Sequence, residues 1–324
     1  MVAPRVYRWD DGNAPVARGE RRSLCDILYA CLVTGYGTQL PAGMTPSGDP
    51  DCHWTREFVN ATFDKAVFRC DMVTPGNTGF YLLVDGASAT VANKQKIAAY
   101  EVMTDVNTGL FPFAASALPE LTLSAAAGTT ARPWVLTADG SAFYFTVWTS
   151  ITTAAPPDNS STYKSELFFG DLVKWSPSDA YCCMLNIGYG SNGMYLTQSL
   201  ASDAAGTNVY MPRKSSGVPG PVIPALTIGG GPCSTIPGQL GLSYTVGDPI
   251  LLSRPTVNNG EAYSIRGWMP GLYVPCHPLA FDQLATVTVD LPSGLSPTQD
   301  FLSIRGYLAS QNGNYFLSLN DWRA

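Results

Sequence analysis

Leu24, Ile27, Leu28, Cys31 and Leu32 recur at i, i+3, i+4, i+7 and i+8, which places one apolar face on a helix of 3.6-residue period. The spacing predicts a single short helix over 23–34. Ser23 stands where an N-cap belongs, Asp26 can reach back from three residues on, and Gly35 supplies the stop. Elsewhere the apolar pattern is strand-like. Residues 65–72, 79–85 and 95–103 are short stretches of β-branched and aromatic side chains separated by Pro-Gly-Asn, Asp-Gly and Asn-type turns. Within the first, Val67, Arg69 and Asp71 alternate with Phe68, Cys70 and Met72, as in a half-buried antiparallel strand. Residues 133–137 and 142–148 flank Asp139-Gly140, a strong hairpin signal. Residues 166–169 follow, and then 180–187, a continuous apolar run typical of a central strand.

Two regions break this rhythm. Residues 38–55 are rich in Gly, Pro, Asp and Thr and read as a loop carrying Cys52, His53 and Trp54. Residues 188–247 are dominated by Gly, Ser, Ala and Pro, and so read as a long excursion or extended arm; loops of more than about 15 residues are usually functional. Strand texture returns at 250–252, 263–266, 286–290, 301–305 and 315–319, and no internal repeat of fixed period is present. The expected fold is mainly β, with antiparallel sandwich-like sheets, one short N-terminal α-helix and a long Gly/Pro-rich excursion. The chain divides into 1–125, a helix plus β-sheet region, and 126–324, a β-rich region with the arm 188–247, or else forms one continuous domain.

Composition narrows the function. Charged residues are 14 % of the 324, against about 25 % in an average chain, and the net charge is −6. Phosphate neutralisation needs a clustered excess of Lys and Arg, so no nucleic-acid partner is expected. The surface is left to Ser, Thr, Asn, Gly and apolar atoms, which suits an assembly component better than a free enzyme. No apolar run reaches the length of a membrane-spanning helix, and the opening stretch has no apolar h-region, so neither membrane insertion nor a secretory signal is expected. The 8 cysteines, with Cys182 and Cys183 adjacent and Cys25 and Cys31 in one helical pattern, read as buried free thiols from a reducing cytoplasm.

Candidate chemistry is sparse. Gly188-Tyr-Gly-Ser-Asn-Gly193 matches G-x-G-x-x-G, but the surroundings are antiparallel hairpins and no βαβ unit follows, so a Gly-rich turn is the better reading. His53 and His277 each follow a cysteine, Cys52 and Cys276, yet adjacent Cys-His side chains diverge and lack the paired knuckles of a zinc site. A glycosidase needs only two carboxylates, but Asp85, Asp139 and Asp11 precede glycines at turns, where backbone chemistry places them. No catalytic residue, cofactor or metal is therefore expected.

Several segments in order resemble a group of tailed-bacteriophage virion structural proteins, often labelled tail proteins. They are 7–16 leading into SLCDILYACLVTGYG at 23–37, KAVFR at 65–69, YEVMTDVNTG at 100–109, ARPWVL at 131–136, FGD at 169–171 and RGWMPGLYVPCHP at 266–278. The resemblance departs at 45–62 and in 188–247. It implies a non-enzymatic virion component, tail or baseplate-associated, assembled in the host bacterial cytoplasm and bound to other virion proteins in a homo-oligomeric or symmetric assembly. A head-surface or collar attachment protein and a tail-associated glycan depolymerase are the alternatives; depolymerases of that kind sit on long repetitive β-helical chains. Within the arm, Tyr195, Tyr210, Met211, Ile223 and Leu226 are the candidate partner contacts, because aromatic and Met side chains anchor interfaces. The alternative is that this segment folds back on its own β domain.

Overall fold

The computed structural model describes residues 3–45, 53–74, 76–113, 118–151, 164–190, 209–214, 217–222, 225–227, 252–253, 256–258, 265–275, 282–290, 298–304, 315–320 and 322. Over these the chain is mainly β, built from antiparallel sheets with one short helical segment. A central seven-stranded sheet runs in the order Arg5–Arg8, Trp134–Ala138, Ala142–Trp148, Lys164–Asp171, Cys183–Gly190, Val209–Arg213 and Pro219–Val222. Against one face lies an N-terminal sheet of Thr55–Val59, Lys65–Arg69, Tyr81–Asp85, Lys94–Asp105 and Thr108–Pro112, with Glu120–Thr122 also pairing the fourth of these. Against the other lies a C-terminal sheet of Leu252–Ser253, Leu272–Pro275, Tyr315–Ser318, Thr298–Ile304 and Thr286–Asp290. A smaller sheet joins Val173–Lys174, Ile265–Trp268, Thr256–Asn258 and Ala225–Thr227.

Covering both faces of the central sheet explains its sequence. Side chains alternate across a strand, so a strand without a solvent face must be apolar at both sets of positions. In Ala142–Trp148, Phe143, Phe145 and Val147 enter the core shared with the N-terminal sheet, whereas Ala142, Tyr144 and Trp148 enter the core shared with the C-terminal sheet. The run at 183–187 divides the same way, with Cys183, Leu185 and Ile187 on the first face and Met184 on the second. Trp54, fully buried, links the layers: its Nε1 donates to Asp139 O at 2.9 Å and its ring meets Phe143 and Phe169 edge-on or tilted at 5.6 and 6.0 Å. Trp54 stays in the expected loop by its backbone, and its side chain is a core residue. The Asp139-Gly140 turn forms as expected, with Asp139 Oδ1 accepting from the backbone N–H of Ser141 and Ala142 at 2.8 and 2.7 Å.

Four local expectations need correction. The helix is α only over Ser23–Leu28 and continues as a π-helix over Tyr29–Thr34, where Thr34 Oγ1 donates to Tyr29 O five residues back. Ser23 is not the N-cap: its hydroxyl accepts from Arg18 N and donates to Val16 O, so the helix starts after Arg22, whose Nε bonds Asp26 at 2.8 Å. Gly35 does end it, at φ +74°. Residues 65–69 are covered on both faces, because Met103 and Val106 pack with Val67 on the outer side of the N-terminal sheet. Finally, Gly188 and Gly190 are not in a turn; they continue Cys183–Gly190 opposite Glu166 and Lys164.

Candidate functional site

The excursion 188–247 is the region singled out for partner contact, and its described parts are strands. Val209–Arg213 pairs with the edge of the central sheet through Leu185↔Tyr210 and Asn186↔Val209, and turns back as Pro219–Val222. Met211 is 0 % exposed, inside the core between the central and C-terminal sheets, with Sδ accepting from Arg266 Nη1 at 3.8 Å. Folded back in this way, it is not the exposed side chain expected of a free arm. Tyr210, half-buried, packs against the opposite core. Leu226 belongs to Ala225–Thr227, opposite Val257. Tyr195 and Ile223 lie outside the described residues.

What fixes this hairpin is a charged junction that the sequence reading missed. Arg213 Nε and Nη2 donate to the two carboxylate oxygens of Glu101, on Lys94–Asp105, at 2.5 and 2.6 Å. Its guanidinium also donates to Gly217 O at 3.3 Å and lies 4.3 Å from the Tyr181 ring centroid and 5.0 Å from that of Phe111. The hydrogen bonds to Glu101 raise the Arg213 pKa further above its ordinary value. The Arg213 carbonyl accepts in turn from Arg266 Nη1. Arg266, its side chain fully buried, holds Asp179 through two bonds of 2.8 Å. Bidentate arginine–carboxylate pairs fix orientation as well as charge, so the two arginines tie the hairpin to the N-terminal sheet on one side and to Ile265–Trp268 on the other. Position alone could not reveal this, since Glu101 and Arg213 lie 112 residues apart.

Exposed apolar side chains flank the junction. Leu110 and Phe111 are on Thr108–Pro112, against which Pro219–Val222 lies; Val218 follows Gly217. Trp175, 61 % exposed, donates its backbone N–H to Arg266 O at 2.8 Å and its ring meets Trp268 at 5.4 Å. Ile265 precedes Arg266 and is also exposed. Phe111 keeps this position at φ +54°, a left-handed backbone that bulky residues rarely adopt.

The interior holds a second polar group. Lys164 Nζ meets Glu166 Oε1 at 2.7 Å, and Tyr315 OH donates to the same oxygen at 2.7 Å, all three nearly or fully buried between the central and C-terminal sheets. Burial and the neighbouring Glu166 charge push the Tyr315 phenol well above its ordinary pKa, so it stays a donor. This buried ion pair faces another layer of the fold. The thiols are equally inert, since burial pushes Cys182 up to about 12 and Cys183 well above the ordinary value. The described cysteines, 25, 31, 70, 182 and 183, are free, and no group of three or more His, Cys, Asp or Glu among the described residues is arranged to hold a metal. Cys52, Cys276 and His277 lie outside the described residues; His53 Nδ1 is buried without a partner. No protein-family model matches the chain, and no curated protein matches it.

Proposed function

We propose that this chain is a non-enzymatic structural subunit of a tailed-phage virion, associated with the tail or baseplate and acting through contacts with other virion proteins. The observation that carries the contact role is the apolar rim beside the Arg213–Arg266 junction. A tryptophan exposed to 61 % and a strained, exposed phenylalanine, on a chain with only 14 % charged residues, are side chains that water does not favour and a protein partner covers. The sequence segments quoted above support the virion setting, and two of them supply parts of this site: 100–109 holds Glu101 and 266–278 opens on Arg266. A third segment, 169–171, holds Asp171, which accepts from Thr78 N and Oγ1 at 2.7 and 2.5 Å and so ties the N-terminal and central sheets.

The test is to label the chain in intact particles and to assay a Trp175→Ala/Phe111→Ala double variant for incorporation. Label at the tail with lost incorporation of a normally folded variant supports the proposal. Label at the head or collar moves the subunit there, and normal incorporation of the variant removes the rim from the contact.

A further inference from the structure

We propose that Arg56, with the exposed ring of Phe63 beside it, is a docking site for a single carboxylate carried next to an apolar side chain, as on an acidic segment of a partner protein. The site lies on Thr55–Val59, at the edge of the N-terminal sheet opposite Thr108–Pro112. The inference goes beyond the proposed function and does not depend on it.

Arg56 is cross-strand to Phe68, a residue of the core, so its side chain takes the inner side of the sheet edge and meets the helical segment. Its guanidinium carbon is 3.6 Å from the centroid of the Tyr29 ring, where the α-helix gives way to the π-helix. A guanidinium stacked on a ring keeps its N–H donors in its own plane, directed away from that ring. Among the described residues none accepts a hydrogen bond from these donors, and water reaches them. Other arginines here are engaged: Arg21 donates to the carbonyls of Gly86, Ala87 and Ala89, Arg69 to that of Gly79, and Arg213 and Arg266 to carboxylates. Arg56 is thus a positioned fork with an open edge.

Phe63 lies between two cations, 5.8 Å from the guanidinium carbon of Arg56 and 5.0 Å from that of Arg22. It is 40 % exposed and sits at φ +59°, a backbone that bulky residues rarely adopt. The turn holds it there. Asn60 O accepts from Phe63 N at 3.2 Å, Asn60 Oδ1 accepts from Lys65 N at 3.1 Å, and Asn60 Nδ2 and Thr62 Oγ1 each donate to Asp64 Oδ1 at 2.6 Å. A strained turn that displays a ring beside an open arginine presents the residue types that anchor protein interfaces.

Charge decides what fits. Asp26 already accepts from Arg22 Nε through both oxygens at 2.8 Å, Asp64 is taken up by the turn, and Glu57 Oε1 accepts from Thr55 Oγ1 at 2.6 Å. These three acids offset the charges of Arg21, Arg22 and Arg56, so the surroundings carry no excess positive charge to hold a dianionic phosphate. One carboxylate can still replace water in the Arg56 fork as a charge-assisted pair, with its apolar neighbour on Phe63. The register shift between Arg56 and Phe58 and the inward-pointing charge discourage an added strand at this edge. The partner is therefore held by side chains.

The experiment titrates the isotopically labelled full chain with the blocked dipeptide acetyl-Glu-Leu-amide, its neutral analogue acetyl-Gln-Leu-amide, acetate and inorganic phosphate, following the backbone amides of residues 29, 56 and 63 by NMR. The glutamyl peptide should give saturable shifts and the glutaminyl one none. Arg56→Gln and Arg56→Lys should each weaken the glutamyl peptide about fivefold or more, since lysine keeps the charge without the planar fork. Phe63→Gly, which suits the positive φ and preserves the turn, should weaken the peptide about threefold or more while leaving acetate unchanged. Absence of saturable shifts, or equal affinity in Arg56→Gln, overturns the site. Phosphate bound as tightly as the peptide, with no effect of Phe63→Gly, overturns the acidic segment as its occupant in favour of a free anion.

Discussion

Gly170 lies in the interior of the central sheet at φ +142°, where a built Cβ would sit 2.3 Å from the carbonyl oxygen of Ser141, 2.4 Å from Ala142 Cα and 2.6 Å from Ala142 Cβ. These neighbours cannot retreat. Ser141 O already accepts from Asp171 N at 3.0 Å, and the Asp139 carboxylate fastens the turn through Ser141 N and Ala142 N. Gly128 provides the matched control: its φ is +137°, yet a Cβ there meets nothing within 4 Å. An alanine held in this region of backbone space costs about 1–3 kcal/mol at either position. Only at 170 does overpacking add about 1–3 kcal/mol, with a further ~1 kcal/mol if the Asp171–Ser141 bond gives way. Gly128→Ala should therefore destabilise by about 2 kcal/mol and Gly170→Ala by about 4–5 kcal/mol. Urea unfolding followed by tryptophan fluorescence measures both. Equal destabilisation by the two variants would refute the reasoning, because it would mean that the central hairpin gives way to a methyl group as easily as open solvent does.

Three further outcomes follow from the interior. Lys164→Met alone should cost about 3–5 kcal/mol by taking the buried ammonium away from the Glu166 carboxylate, whereas adding Glu166→Leu should recover most of that loss, as chemical denaturation of the single and double variants will tell. A thiol-reactive disulfide reagent should leave Cys25, Cys31, Cys70, Cys182 and Cys183 unmodified in the native chain and reach all five in guanidinium, since each is buried and burial raises the pKa of Cys182 to about 12. For Asp85, burial acts to raise the pKa, but hydrogen bonds from Lys65 and Ser88 together with the Lys65 charge outweigh it and the net shift is downward. A folded value below the unfolded one, about 3.9, gives stability that is complete above that pH and is lost as the pH falls through the folded value. The urea midpoint should therefore drop below about pH 4, and Asp85→Asn should drop less over the same interval.

The parts of this fold that were legible in the sequence are those determined by local alternation. Ala142–Trp148 and the run ending at Ile187 announce central strands because two covering layers require apolar residues on both faces, and Asp139-Gly140 announces its hairpin because one carboxylate can satisfy two turn N–H groups. The helix was legible in position but not in pitch. The apolar spacing from Leu24 to Leu32 suits a 3.6-residue period, and nothing in that spacing shows that the backbone widens from Tyr29 onward. Ser23 misleads for a related reason: a hydroxyl at an N-cap position has other backbone partners within reach, and here the strand Ala17–Gly19 takes it.

The candidate site was hidden by a different cause. The Gly, Ser and Pro content of 188–247 suggests a stretch that does not build a core of its own, but composition carries no information about which surface its described strands join. That is decided by pairs such as Glu101–Arg213 and Asp179–Arg266, separated by 112 and 87 residues, whose members look like ordinary solvated charges when read singly. Glu101–Arg213 joins strands that backbone pairing does not join, and Asp179 fixes the buried Arg266 guanidinium that bonds the Arg213 carbonyl. Single substitutions at Glu101, Arg213, Asp179 or Arg266 should accordingly disturb the docking of strand onto sheet more than the sheets themselves. The apolar pattern sets the layers, whereas these few charges set how the last hairpin is attached to them.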